Sequence, residues 1–166
     1  MSNASGNDMS KQLARAERDW KSMQRICHDF FHGWRRTVQE RYGVDVAKEL
    51  EVAFYERIGE GTGKMFLDRG GNPDDLEKLV FSLVRASEVM GEDAHMTRDG
   101  DDVLLVHTAC PWLDSFRATG AANQCQGSCD HWFQTTAKTI SPKLRVATER
   151  ALPAGDASCT RRFSMA

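Results

Sequence analysis

A chain of 166 residues with 40% apolar and 28% charged residues has the balance of a globular protein able to bury its own core, which excludes a largely disordered chain. Its net charge of −2 offers no basic surface for nucleic acid. No apolar run approaches the roughly 18–20 residues that cross a bilayer, so neither nucleic acid nor membrane is an expected partner.

The first twenty residues, MSNASGNDMSKQLARAERDW, are polar and charged, with no apolar core of the signal-peptide kind. A cytoplasmic location is expected. Residues 1–8 read as a disordered tail or an expression scar, and 9–166 as a single α+β domain. From Lys11 to about Arg41 the pattern is that of a long helix. Leu13, Trp20, Met23, Ile26/Cys27, Phe30/Phe31 and Trp34 recur at three- and four-residue steps as its apolar stripe. A second helix is predicted from about Val46 to Ile58, with Leu50, Phe54 and Ile58 on one face. GEGTGK then reads as a flexible connection, with a short return to helix through KMFLD. It follows a helix and lacks the full spacing of a phosphate loop.

GGNPDDLEKLVFSLVRASEVMG carries a strong helix signal. Asn72 can cap it, Pro73 suits its first turn, and Asp74, Asp75 and Glu77 suit its positive end. Leu76, Leu79, Val80, Leu83 and Val84 form the stripe to be buried, and Gly91 ends it. The period then changes. DAHMTR and VLLVHT read as two strands about an Asp-Gly turn. A short helix over WLDSFRA follows Cys110-Pro111, and another runs from about Gln124 to Thr139. KLRVATERAL and SCTRRFSM form a second hairpin, in which Cys159, Phe163 and Met165 share a face interrupted by Arg161. The expected fold is therefore α+β. N-terminal helices over 9–91 precede a roughly four-stranded antiparallel sheet over 92–166, with helices inserted between its two cysteine-rich hairpins.

Four of the five cysteines, Cys110, Cys125, Cys129 and Cys159, fall in the second half. In a reducing compartment clustered thiols serve metals or chemistry more often than disulfides. Cys125 and Cys129 lie one helical turn apart on one face, and Cys110 and Cys159 sit at strand ends, so all four can approach one point. Three readings follow. In the first, the four thiolates ligate zinc or an iron–sulfur cluster, in a small sensor, ligand-binding or accessory module. In the second, Cys125 or Cys129 is the nucleophile of a hydrolase, with His131 or His107 as base and Asp130 as orienting carboxylate. Cys125, near the expected helix start, has the better placement for a lowered pKa. In the third, the thiols are inert packing. His28 and His32 have the i, i+4 spacing of a helical metal pair but lack the accompanying Glu of a zinc protease helix, so a structural use is expected. A small-molecule ligand and a homodimer through the aromatic N-terminal helix are the expected partners.

The stretches HTACPWLDSF, CQGSCDHWFQTTAKTISPKL and LPAGDASCTRRFSM resemble the end of the L-2-amino-thiazoline-4-carboxylic acid hydrolase-like family, and also the vinyl-4-reductase domain. The resemblance rests on Cys110-Pro111, on Cys125 through Leu144, and on Gly155-Asp156 with Cys159, spanning about residues 90–166. It implies a small α+β module and, from the family's name, hydrolytic opening of a thiazoline ring.

Overall fold

The computed structural model describes residues 3–166, with side chains from residue 8. Two long helices open the chain, α1 (Asn3–Tyr42) and α2 (Val44–Asp68), followed by α3 (Leu76–Val89). The hairpin β1 (Asp93–Asp99) and β2 (Asp102–Ala109) leads into α4 (Pro111–Ala118) and α5 (Ala122–Ile140). A second hairpin, β3 (Leu144–Arg150) and β4 (Cys159–Met165), closes the chain around a 3-10 turn at Leu152–Ala154. The sheet is antiparallel in the order β1-β2-β4-β3, so the α+β expectation holds. Among the described residues no helix is long and apolar enough to cross a membrane.

α1 starts at Asn3, ahead of the expected Lys11, and residues 3–8 of the expected tail are helical; residues 1–2 lie outside the described residues. Local capping accounts for α3. Asp75 is its N-cap, its carboxylate accepting the Lys78 N–H at 2.9 Å, while Asn72 instead accepts from Asp74 in the preceding turn. Leu79, Val80, Leu83 and Val84 are buried as the stripe predicted. They meet Val103, Leu105 and Phe163 from the sheet and Phe133, Ala137 and Ile140 from α5 in one core. A second core joins Phe31 of α1, Tyr55 of α2, Leu113 and Phe116 of α4, and Ala121 and Cys125 beside and within α5.

Two expectations fail instructively. The GEGTGK run is not a loop; it lies inside α2, which continues to Asp68. A Cβ on Gly59 would stand 2.6 Å from the Trp132 carbonyl oxygen, and one on Gly63 would stand 2.8 Å from Thr139 Cβ. These glycines let α2 and α5 approach backbone to backbone, a tertiary gain that outweighs their poor helix propensity. The apolar stripes of α1 and α2 also face outward. Leu13, Trp20, Met23, Phe30, Trp34, Leu50, Phe54 and Ile58 are exposed, whereas His28, Phe31, His32, Arg35 and Val38 of α1 and Ala47, Glu51 and Tyr55 of α2 are buried.

Most of the buried polar face is satisfied internally, His28 Nε2 being the atom of this face left without a partner. Arg35 Nε donates to Glu51 Oε2 at 2.8 Å, Ser128 donates to the other Glu51 oxygen, and Arg35 also donates to Gln124. This network ties α1, α2 and α5 together with both charges out of water.

Candidate functional site

Between the two cores lies a small cavity of about 20 Å³, room for a single water. Its walls carry all four second-half cysteines together with Glu92, His107, Gln126, Phe133 and Arg161. The strand register explains part of this convergence. On β2 the inward residues are Val103, Leu105 and His107, which pair with Phe163, Arg161 and Cys159 of β4. His107 and Cys159 are thus cross-strand neighbours, and Arg161 lies one inward step further along. The interruption that Arg161 makes in an apolar strand face brings a cation to the cavity.

Each cysteine has its own environment. Cys110 precedes α4 as its N-cap, and burial, then Glu92, pushes its thiol upward. The Cys159 thiol is raised chiefly by burial, although the Leu152 N–H donates to its sulfur at 3.2 Å. That N–H belongs to the turn in which Gly155 adopts a φ of 98° and Asp156 accepts the Ala151 N–H at 2.8 Å. The backbone before Cys159 is therefore shaped by residues that tolerate or satisfy its tight geometry.

Cys125 and Cys129 behave as a pair. The neighbouring Cys129 sulfur, with burial, raises the Cys125 thiol. The pairing with Cys125 lowers Cys129; burial opposes this, and the Arg161 guanidinium assists it. Because Arg161 attracts the negative form, Cys129 is the partner that carries the charge. Helix position alone favours Cys125, the fourth residue of α5, whereas the Arg161 cation acts on Cys129.

Arg161 is almost wholly buried, stacked over Phe133 with its guanidinium carbon 4.6 Å from the ring centre. Its Nε lies 3.7 Å from Asp130 Oδ1 and has no hydrogen-bond partner. Asp130 is held by Thr148, which donates to it at 2.6 Å, and so restrains Arg161 from behind. On the cavity wall, His107 places Nε2 2.9 Å from Ser87 Oγ and 3.0 Å from Glu92 Oε2. Its Nδ1 is buried without a partner, leaving that nitrogen free for another group.

His131 does not join this group. It points toward α2, where Nδ1 is 3.4 Å from Glu56. His28 and His32 sit at the α1–α4 seam. The His28 ring packs 4.0 Å from Trp112, and His32 Nε2 is 2.9 Å from Ser115 Oγ. Burial lowers both, His32 to about 4 with help from Arg35, so they serve as neutral packing groups. The four cysteines share one cavity, yet among the described residues no group of three or more His, Cys, Asp or Glu side chains is placed to hold a metal ion. The zinc or iron–sulfur expectation for Cys110, Cys125, Cys129 and Cys159 therefore gains no support.

Sequence reasoning missed Glu92 and Ser87 and gave Arg161 no role. The available signal was phase: His107 and Arg161 fall on the inward beat of otherwise apolar strands.

The α+β scaffold thus presents a thiol pair, an imidazole and a guanidinium to one cavity. The family model described as L-2-amino-thiazoline-4-carboxylic acid hydrolase matches residues 23–163, and the chain belongs to that family. The match reaches well beyond the C-terminal half in which the resemblance is visible by eye. A comparison with curated proteins finds no match. Among solved structures, the chain is similar to a trafficking protein particle complex subunit 3 from Naegleria fowleri, described as covalently bound to palmitic acid. That likeness has a TM-score of 0.53 at 12% identity, covering 88% of this chain and 96% of that one, and it supports the fold alone.

Proposed function

We infer that the protein is a thiol-dependent hydrolase of a small cyclic substrate, with Cys129 as nucleophile. The observation that carries this reading is the Cys125–Cys129 pair, polarised toward Cys129 by Arg161, on the same cavity wall system as the partnerless Nδ1 of His107. Membership of the thiazoline-carboxylate hydrolase family supports it. A ring amidine or amide carbon accepts the thiolate, and a ring bond breaks as the departing heteroatom takes a proton from protonated His107. A water then gives its proton to the same imidazole and displaces Cys129 as thiolate, so one water is consumed. Glu92 and Ser87 orient His107. Arg161 gives an anionic substrate group a buried guanidinium partner.

The cavity accepts little more than a water as it stands, so a substrate enters by displacing rim side chains such as Gln126. All five cysteines are free thiols, which suits a reducing compartment such as the cytoplasm.

The test is direct. Purified protein is incubated with L-2-amino-thiazoline-4-carboxylate or a related cyclic amidine, and ring opening is followed by mass spectrometry as addition of one water. Cys129→Ala should abolish turnover, and Cys27→Ala should leave it intact. Undiminished turnover in Cys129→Ala would remove the nucleophile assignment, and stoichiometric zinc or iron in protein prepared without oxygen would restore the metal reading.

A further inference from the structure

The outward stripe of α1 is more regular than amphipathicity requires. Met9, Leu13, Ala16, Trp20, Met23, Cys27, Phe30 and Trp34 follow one another at alternating steps of four and three, the seam of a two-helix coiled coil. None of these side chains is buried; Phe30 is 78% exposed, Leu13 62% and Met23 58%. From Asp8 to Asp19 every residue is exposed apart from the half-buried Ala14, and the side-chain bonds that anchor α1 to α3 begin at Trp20. There Trp20 Nε1 donates to the Val89 carbonyl at 2.8 Å, joined by Gln24 at 3.1 Å. The stretch from Asn3 to Asp19 is a helical arm roughly 25 Å long.

The body carries a matching surface. Phe30 and Trp34 continue onto α2, where Trp34 lies 6.0 Å ring to ring from Phe54, and Leu50 and Ile58 extend the patch. One chain therefore has both a protruding apolar stripe and an uncovered apolar patch in line with it. We propose that a second copy of this chain covers both, α1 pairing antiparallel with its symmetry mate about a twofold axis near residues 21 and 22.

Area and shape select this occupant. Large side chains contribute about 150–250 Å² each when buried. The exposed parts of Met9, Leu13, Trp20, Met23, Ile26, Phe30 and Trp34 with Leu50, Phe54 and Ile58 then amount to roughly 1,000 Å² per chain. A standard interface needs about 800 Å² per partner. Parallel pairing would set Trp20 on Trp20, Phe30 on Phe30 and Trp34 on Trp34 while leaving a void at Ala16. Antiparallel pairing sets Phe30 against Leu13, Trp34 against Met9 and Cys27 against Ala16, large against small, as close packing demands. It also lays each arm along the partner's α2 patch and opposes the two helix dipoles.

Sedimentation equilibrium of the full chain at micromolar concentration should give twice the chain mass. Leu13→Glu combined with Met23→Glu should give a single chain mass with unchanged near-ultraviolet circular dichroism from the body. Oxidation reads the direction of pairing. In the antiparallel register Cys27 and its mate lie roughly 16 Å apart along the axis, too far for a disulfide. The wild type should not crosslink through Cys27, whereas Ala16→Cys should give a covalent dimer in which the introduced thiol is joined to Cys27 of the other copy. A monomeric wild type overturns the proposal, as does co-sedimentation of monomer with phosphatidylcholine–phosphatidylserine vesicles. A Cys27-to-Cys27 crosslink in the wild type overturns the antiparallel pairing.

Discussion

Three glycines within α2, Gly59, Gly61 and Gly63, allow helix propensity and helix packing to be separated in one element. Gly61 has no heavy atom within 4 Å of where a Cβ would stand, so Gly61→Ala should stabilise the protein by about 0.5–1 kcal/mol through lost unfolded-state entropy and better helix propensity. Gly59→Ala gains the same increment but meets the Trp132 carbonyl oxygen at 2.6 Å, Thr135 Cβ at 2.9 Å and the Thr136 nitrogen at 3.2 Å. Two of these are backbone atoms of α5 and have no rotamer to yield. The helices must separate by nearly 1 Å, which strains the Thr136 hydroxyl bond to the Gly59 carbonyl, now 3.2 Å. Overpacking of this kind costs about 3 kcal/mol at the upper end of its usual range, so Gly59→Ala should lose about 2 kcal/mol net. Gly63→Ala, facing Thr139 Cβ at 2.8 Å and the Thr136 carbonyl at 2.9 Å, should behave similarly. The two classes then differ by roughly 3 kcal/mol, a gap of about 6–12 °C in Tm for a domain of this size. Urea unfolding by circular dichroism and thermal scans would measure it. If Gly59→Ala proved as stable as Gly61→Ala, the backbone-to-backbone account of α2 and α5 would fail.

Three further outcomes follow from the buried polar groups. Glu51→Ala, which strands Arg35 between α1 and α5, should cost about 3–5 kcal/mol, and replacing both with apolar residues should cost less than that single change; chemical denaturation of the three variants checks this. His32 binds its proton less readily folded than unfolded, about 4 against 6.5, so the stability it contributes is present above pH 6.5 and is lost as pH falls toward 4. The loss amounts to at most about 3 kcal/mol, and His32→Asn should show a flatter stability profile across that window. Arg161→Met removes a cation that favours ionised Cys129, and should raise the pH at which that thiol ionises.

Legibility differed from element to element for physical reasons. α3 could be read because its apolar stripe, acidic first turn and glycine stop all agree with the side it buries. For α1 and α2 the periodicity identified helices, but an apolar stripe does not say which neighbour covers it. The interior face is built instead from His28, His32, Arg35 and Glu51, whose burial becomes tolerable only through partners on α2, α4 and α5. The GEGTGK run misled because the gain from its glycines appears only when α5 packs against them. At the site, the gathering of Cys110, Cys125, Cys129 and Cys159 was foreseeable from element ends and helix spacing. The polarity of the Cys125–Cys129 pair was not, since it depends on Arg161 arriving from the last strand. His131 was drawn in by its closeness in sequence to Cys129, and the two helical steps between them, about 200°, send it to the opposite side.

The most direct measurement is the ionisation of the individual thiols. Thiolate absorbance followed against pH, in the wild type and in variants lacking one cysteine each, should show one thiol that ionises well before the rest. Cys129→Ala should erase that early step, Cys125→Ala and Arg161→Met should each move it to higher pH, and Cys110→Ala should leave it in place. A titration curve indifferent to Cys129→Ala would contradict the assignment of the reactive sulfur.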